Sequence, residues 1–331
     1  MFLDSGSDIS KRAGIGYLEP VVTAAAVRTR GLASALLLSL AASGGAARAA
    51  APPAVRDLTV TVATWNIAWF GDGVNDEVLT GNRRDGRHIR DREHLARLRA
   101  VVTRLDELGT DVVGLQEIEN EAAGRRLFPA ADWDLHVSRR NTDPAWSQRT
   151  AIAVRRAAGW TIERHPDIVE WSPRGLDRYG VNLTLRRGSE RVRVLTVHFE
   201  SGCAGAPLDS GRRDCGFLRM QGAVLKGWLH DRREEGVPVV VAGDWNRFLS
   251  RGDERLPPWF PADPLILPAP GSSPGCWGGR FPNYVDHILA FAPSSGEVTP
   301  TRFEELLYDA PRAMRDGLSD HCALVGTLTF R

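Results

Sequence analysis

The sequence predicts an α/β fold in which sheets are covered by helices. Apolar runs of strand length dominate the chain, and the two clear amphipathic helical segments each lie between such runs. A third observation bears on function. Four apolar runs end in Asp, Glu, Asn or His, in the segments Thr64-Trp65-Asn66, Gln116-Glu117, Gly243-Asp244-Trp245-Asn246 and Ser319-Asp320-His321. Val-, Ile- and Leu-rich strands normally sit in a core, so charged and imidazole groups at several strand ends point to one site assembled from distant parts of the chain. Such a mixture of acid, amide and imidazole suits metal-assisted phosphoryl chemistry.

The elements follow in order. Residues 60–63 alternate as Val-Thr-Val-Ala and lead into Thr64-Trp65-Asn66, a strand ending at a polar residue. A loop rich in Gly, Asp and Asn runs to about residue 91. Leu95, Leu98, Val102, Leu105 and Leu108 then recur at three- and four-residue steps, with Arg97, Arg99, Arg104 and Glu107 on the other side, which predicts an amphipathic helix closed by Gly109. Asp111-Val112-Val113-Gly114-Leu115 reads as a buried strand. Further strands are expected near residues 150–155, 181–186, 192–199, 237–243, 284–291 and 323–330. A second helix is expected over residues 216–231, with Phe217, Met220, Val224, Leu225, Trp228 and Leu229 as its inner face.

At 331 residues, 43% apolar and 25% charged, the chain has room for one large or two small domains with a proper core. Residues 1–49 stand apart. Arg28 and Arg30 precede the apolar run Gly31 to Ala42, and Ala47-Arg48-Ala49 offers a small-residue cleavage site, so a secretory signal peptide is expected there. Its first part carries Asp4, Asp8 and Glu19, unusual for such a leader, and suggests a translation start near Val27. Residues 50–57 then read as a linker and 58–331 as the catalytic domain, secreted or periplasmic. Without residues 1–49 the chain loses five of 42 basic and three of 41 acidic residues, leaving a formal charge of −1 and no overall sign of a nucleic-acid surface. All four cysteines, Cys203, Cys215, Cys276 and Cys322, lie in the remaining chain, an even count that fits two disulfides in an oxidising compartment. Three connectivities are possible. Cys203 and Cys215 flank a Gly-, Pro-, Asp- and Ser-rich loop and are the easiest pair to close.

In order and wording the four polar segments resemble the endonuclease/exonuclease/phosphatase superfamily, over residues 60–330, in a deoxyribonuclease I-like, secreted bacterial-type form. The resemblance implies a four-layer α-β-β-α sandwich with two mixed β-sheets packed face to face. It also implies roles. Asp244 activates or orients the attacking water, Asn246 positions the scissile phosphate, and His198 contacts it. His321 contacts the phosphate or handles a proton, partnered by Asp286 from Tyr284-Val285-Asp286-His287. Glu117, Asn66 and Asp320 form the metal site, for Mg²⁺ or Mn²⁺, and Arg149 faces the phosphate. His287, one position beyond Asp286, should point away from the site and be structural. His88 and His94 read as solvated. No P-loop, Gly-x-Ser-x-Gly elbow or His-Glu-x-x-His motif occurs, which removes the commonest other hydrolase routes, and the mechanism that the resemblance implies is single-step in-line attack by water.

Substrate class is open at this level. A nuclease needs basic contacts around the site, and Arg83, Arg84, Arg87, Arg90, Arg139, Arg140, Arg212 and Arg213 offer them, the last two inside the Cys203 to Cys215 loop. A sphingomyelinase-like phospholipid phosphodiesterase needs apolar wedges, for which Trp259 and Phe260 among prolines 257, 258 and 261, and Pro264-Leu265-Ile266-Leu267-Pro268, are candidates. A phosphomonoesterase of the same fold and a non-catalytic binding module complete the readings. Nucleic acid is the leading substrate, and a monomer without an obligate protein partner is expected.

Overall fold

The computed structural model describes residues 57–71, 79–80, 89–139, 148–172, 178–249, 259–260, 264–293 and 296–331. The leader, most of the linker, Arg83, Arg84, Arg87, His88, Arg140 and prolines 257, 258 and 261 lie outside them. The strands are β1 (Leu58–Phe70), β2 (Leu79–Thr80), β3 (Ile89–Arg90), β4 (Val112–Ile118), β5 (Trp133–Val137), β6 (Arg149–Arg155), β7 (Thr161–Arg164), β8 (Asn182–Arg187), β9 (Glu190–His198), β10 (Val239–Asp244), β11 (Leu265–Leu267), β12 (Asp286–Phe291), β13 (Val298–Leu306) and β14 (Ala323–Phe330). The longer helices are α1 (Arg92–Glu107), α2 (Glu121–Leu127) and α3 (Arg213–Glu234). Two six-stranded sheets result, ordered β13-β14-β1-β4-β6-β5 and β11-β12-β10-β9-β8-β7, with β2 and β3 pairing separately.

Both sheets are mixed for the same reason. Each has one parallel pair, β1 with β4 and β9 with β10, and in each pair a helix, α1 or α3, makes the crossover that parallel strands require. All other pairings in the two sheets are antiparallel. Side-chain alternation then builds the layers. Val60 and Val62 of β1 meet Val240 and Ala242 of β10 between the sheets, while Ala63 and Trp65 pack with Leu98 and Leu105 of α1. On the far side, Val239 and Val241 pack with Leu225 and Leu229 of α3. The order of layers is helix, sheet, sheet, helix.

α1 begins at Asp91, whose carboxylate accepts from the Glu93 and His94 amides while His94 caps back, so His94 is a capping residue and not a solvated one. The inner face of α3 differs from the expected one. Cys215, Leu218, Gln221, Gly222, Leu225, Trp228 and Leu229 are buried, whereas Phe217, Met220 and Val224 are half-exposed. Two residues unlike a core stripe set this face. Gln221 accepts from the Glu200 amide and donates to the Trp171 carbonyl, and a Cβ on Gly222 would collide with the Trp259 ring. Trp259 is itself buried, and Phe260 packs edge-on against Trp245 and Phe291. Ile266 and Leu267 are buried in β11. The rings read as a membrane wedge, Trp259 and Phe260, thus pack behind the second sheet, where Trp259 completes the aromatic cluster around Phe199. Among the described residues no helix is long and apolar enough to cross a membrane.

The disulfides are Cys203–Cys215 and Cys276–Cys322, which decides among the three connectivities. Gly243 admits the neighbouring strand, since a Cβ there would lie 2.0 Å from the Val197 carbonyl oxygen. Gly243→Ala should therefore lower stability by about 2–3 kcal/mol through overpacking, seen as a lower denaturant midpoint at unchanged slope. An unaltered midpoint would show that β9 and β10 can part without loss.

Candidate functional site

The carboxyl ends of both parallel pairs meet at one edge of the sandwich, where the inter-sheet face turns from apolar to polar. Along β1 the inward residues run Val60, Val62, Thr64, Asn66, and along β10 Val240, Ala242, Asp244. Gln116 of β4 and Thr196 and His198 of β9 continue the same trend. These groups pair across the gap: Gln116 accepts from the Thr64 hydroxyl at 3.4 Å and donates to the Thr196 hydroxyl at 3.0 Å, all three fully buried. Gly114 keeps the sheets close enough, a Cβ there lying 3.0 Å from the Thr196 hydroxyl oxygen. One step nearer the edge, the Asn66 amide donates to Asp244 Oδ2 at 3.1 Å and Glu117 Oε1 at 3.3 Å.

Four residues here have left-handed backbone without being glycine: Ala68 (φ 49°), Trp69 (φ 54°), Glu117 (φ 61°) and Asn246 (φ 48°). The turn at Glu117 matters most. By alternation it shares the parity of Val113 and Leu115, which face the helices; the left-handed φ swings its carboxylate back to the site, where Oε2 accepts from the Trp69 amide at 3.0 Å. The β1 bulge is clamped by Arg90, which is fully buried and donates to the carbonyls of Ile67, Ala68 and Leu318 at 2.7, 2.6 and 3.0 Å. Burial lowers its pKa to about 10, so it stays charged. Arg90 therefore holds the site from behind and is not a surface contact, the role expected from its Arg-rich neighbourhood.

Antiparallel register brings the remaining groups in. Asp286 opens β12 opposite Asp244, and Asp244 lies beside His198 in the parallel pair. His321, just before β14, points Nδ1 at Asp286 Oδ2 across 2.7 Å. Ser319 ties this loop to the first sheet by donating to the Asn66 carbonyl at 2.8 Å and accepting from the His321 amide at 3.0 Å. His198 Nε2 stands 3.6 Å from Asp244 Oδ2 and 3.7 Å from Glu117 Oε1.

Charge is concentrated here in little solvent. Burial, then the Asp286 carboxylate, pushes Asp244 up to about 7. Burial works against a charge on His321, but Asp286, with Asp244 and Asp320 behind it, holds its imidazolium well above the usual histidine range. His198 is driven well below that range by burial, then by Arg178 and His321. Asp286 Oδ1 and His198 Nδ1 are buried without a partner. Asp244, Asp286 and His321 place one ligand atom each within 4.8 Å of one another, a group able to hold a divalent cation. A second cluster, Cys276, Glu305 and Cys322, is not suited to one: its sulfurs form the disulfide, and Glu305 already accepts from the Gly275 and Cys276 amides and the Tyr284 hydroxyl.

Asn66, Glu117, His198, Asp244, Asn246, Asp286, Asp320 and His321 thus gather at one edge, though not all in the expected posture. Asn66 Oδ1 accepts from the Ala68 amide at 2.9 Å, and its side-chain nitrogen is a donor between two carboxylates. The strand ends at Asp244. Asn246 turns away from the strand pattern, its own amide on Asp244 Oδ1 and its side-chain nitrogen on the Phe199 carbonyl, both at 2.9 Å. Asp320 is half-exposed, 3.8 Å from His321 Nε2. Arg149 starts β6 and holds the Ser138 carbonyl through Nε and Nη2. Arg212 and Arg213 are exposed at the start of α3, at the same end of the second sheet, Arg212 donating to the Gly202 carbonyl and Arg213 lying over Phe217. Arg139 is exposed. The sequence reading had no role for Gln116, Thr196 or Ser319, although Thr196 shares the parity of His198. Arg178, which donates to the Phe199 carbonyl at 3.1 Å, comes from a loop without any pattern to mark it.

The sequence matches the family model of the Endonuclease/Exonuclease/phosphatase family over residues 63–321. The chain belongs to this family. Its members named here share the fold. A humanized D. rerio TDP2 is 16% identical with a TM-score of 0.54, covering 82% of this chain and 98% of that one. The human Nocturnin catalytic domain is 15% identical at 0.55, covering 83% and 97%. A family protein from Bacteroides thetaiotaomicron is 15% identical at 0.53, covering 83% and 99%. Among curated proteins no relative matches.

His287 points away from the edge, fully buried, with Nε2 2.8 Å from the Arg247 carbonyl, and burial lowers its pKa to about 4. The unfolded chain takes up a proton on this ring from about pH 6.5 downward and the folded chain only near 4, so stability falls as pH drops through that window and levels off below it. His287→Gln should remove up to about 3 kcal/mol of that pH-dependent loss, read from chemical denaturation at pH 7 and pH 4.5. Equal losses in both proteins would assign the pH dependence elsewhere.

Proposed function

We propose that the protein is a secreted or periplasmic Mg²⁺-dependent phosphodiesterase, most of all a nuclease, that cleaves its substrate by in-line attack of water. The observation that carries this is the convergence of Glu117, Asp244, Asp286, His198 and His321 at one sheet edge in a chain of this family. Two disulfides and the leader composition of residues 1–49 support an oxidising compartment. A D. rerio TDP2 of the same fold, 16% identical with a TM-score of 0.52, has been captured with a single-strand DNA product, which favours nucleic acid among the phosphodiesters. Burial of Trp259 removes the feature that had favoured a lipid surface.

The carboxylates of Glu117, Asp244 and Asp286, with Asp286 Oδ1 unpartnered and no thiolate among them, fit a hard divalent cation. Glu117 with Asp244 or Asp286 would hold it, with Asp320 at the rim, and bound there it would neutralise phosphate charge as a Lewis acid. The protein's own groups divide the rest. Asp244, held by the Asn66 side chain and by the Asn246 amide, accepts the proton of the attacking water. His321, kept protonated by Asp286, faces the negative charge that develops on the phosphate and gives a proton to the departing oxygen. Neutral His198 and the remaining amide hydrogen of Asn246 orient the phosphate oxygens. Asn66 holds Glu117 and Asp244 at a fixed spacing.

The test is an assay of the chain lacking residues 1–49 on DNA, RNA, sphingomyelin and a phosphomonoester in parallel, with Mg²⁺, with Mn²⁺ and with excess EDTA. Cleavage of nucleic acid that EDTA abolishes and either ion restores is expected; full activity in chelator would overturn the metal assignment, and sphingomyelin cleavage without DNA or RNA cleavage the substrate.

Asp244→Ala and His321→Ala should each reduce turnover at least about a hundredfold with unchanged circular dichroism. A folded His321→Ala protein with near-normal turnover would remove that residue from the chemistry.

A further inference from the structure

Beside His321 the molecule has a cavity of about 310 Å³ whose lining includes Asn246, Asp286 and His321 together with Phe248, Phe281 and Tyr284. Such a volume lies at the lower end of small-molecule sites, which span roughly 300–1,000 Å³. We infer that this cavity binds an uncharged aromatic or apolar group carried by the scissile phosphate, and that the Cys276–Cys322 disulfide is the wall that shapes it. The inference rests on the phosphodiesterase reading above and adds which substituent the enzyme prefers.

Three features select the occupant. The walls are apolar: besides the three aromatic rings they include Pro274, Pro282 and the disulfide. Phe281, at 37% exposure, is one of two large hydrophobic residues exposed among the described residues, and it stands at this cavity. The ionisable lining is Asp286, Asp320, Glu305 and His321 with neither Arg nor Lys, so a second phosphate or a carboxylate entering there would meet like charge. Glu305 does not call for a cation, because the Gly275 amide, the Cys276 amide and the Tyr284 hydroxyl already donate to it at 2.7, 3.1 and 3.1 Å. Its work is to brace the turn that carries Cys276.

That turn and the reactive loop are one unit. Cys322 follows His321 directly, its sulfur joins Cys276, and Trp277 beside it donates from Nε1 to the Ser319 carbonyl at 2.8 Å. Without the bond, the wall formed by residues 274–276 keeps the Glu305 contacts to β13 and the Trp277 contact to Ser319 but loses its covalent tie to the His321 loop. The cavity should then lose its shape before the sheets lose their register.

The experiment measures inhibition of bis(4-nitrophenyl) phosphate hydrolysis in Mg²⁺ by benzyl phosphate, methyl phosphate and 2-aminoethyl phosphate. The ratio of inhibition constants isolates the substituent, whatever happens to turnover. Benzyl phosphate should bind at least about tenfold more tightly than methyl phosphate, since its ring alone reaches the apolar walls. Phe281→Ser, at an exposed position, should bring that ratio below about threefold, and so should Cys276→Ser/Cys322→Ser, or Cys276→Ala/Cys322→Val if the serine pair does not fold. Equal inhibition by benzyl and methyl phosphate in the parent protein would overturn the proposal, as would tightest inhibition by 2-aminoethyl phosphate, which would assign a cationic group. A folded disulfide-free variant that keeps the full ratio would overturn the disulfide's part in it. If no phosphodiester is hydrolysed at all, the functional reading fails, and calorimetric titration of the same three esters into the protein in Mg²⁺ still decides the cavity by the same ratio.

Discussion

The side chain of Asn66 is the point on which the site depends. It stands where the β1 bulge begins in the first sheet, and its amide reaches Glu117 in the same sheet and Asp244 in the other. Two acids placed so close repel, and repulsion between groups on separate sheets would drive the sandwich apart at this edge. A single donor shared between them, backed by the Thr64–Gln116–Thr196 chain one residue deeper, converts that edge into a polar seam. Because an unmade buried hydrogen bond costs about 1–3 kcal/mol, the seam also fixes the sliding register of one sheet on the other, which the interchangeable Val and Ile contacts farther in do not.

Keeping this geometry requires backbone that the chain does not adopt freely. Ala68, Trp69, Glu117 and Asn246 all take left-handed angles, each disfavoured for a residue with a Cβ. What holds them is local and specific. Arg90 gathers the carbonyls freed by the β1 bulge, Glu117 receives the Trp69 amide, and Asp244 receives the Asn246 amide. The acids therefore serve twice, as chemistry and as acceptors for the distorted backbone that presents them. Neutralising one of them disturbs its neighbours' geometry as well as charge, so effects of substitutions at this edge will not add.

Much of this was legible in the sequence, and the limits have a pattern. The interior strands β1, β4, β6, β8, β9, β10, β12 and β14 all appear as apolar runs, because strands covered on two faces carry little else. Of the edge strands, β5, β7 and β13 do not, and β11, Leu265-Ile266-Leu267, is apolar but only three residues long. In β7 the residues Thr161–Arg164 are mostly exposed, and β13 carries Pro300 and a run of exposed residues, devices that suit a sheet edge and erase the signal of a strand. At the site, residue types at strand ends located the cluster, but their postures were set by backbone turns that alternation cannot foresee. Glu117 faces the site because the strand bulges there with a left-handed φ, and Asn246 lies outside the strand that was expected to aim it. Arg90 was misread for a related reason: composition marks an arginine-rich stretch as solvated, while only the fold reveals which arginine the bulge captures.

The two βαβ units, β1-α1-β4 and β9-α3-β10, explain why the acids and imidazoles come from such distant segments. Each unit aims its strand ends at one edge, and packing the sheets face to face with those edges together brings two half-sites into one. Neither half is complete. The first supplies Asn66 and Glu117, the second His198 and Asp244, and the antiparallel strands beside them, β14 and β12, add His321 and Asp286 as a pair that spans the sheets. Each sheet holds one residue of every bridging contact, so the chemistry forms only when the sandwich closes. The disulfides act outside this seam: Cys203–Cys215 closes the loop between β9 and α3, and Cys276–Cys322 joins the turn before β12 to the loop before β14. Both reinforce connections at the site's rim, where there is no sheet to do so.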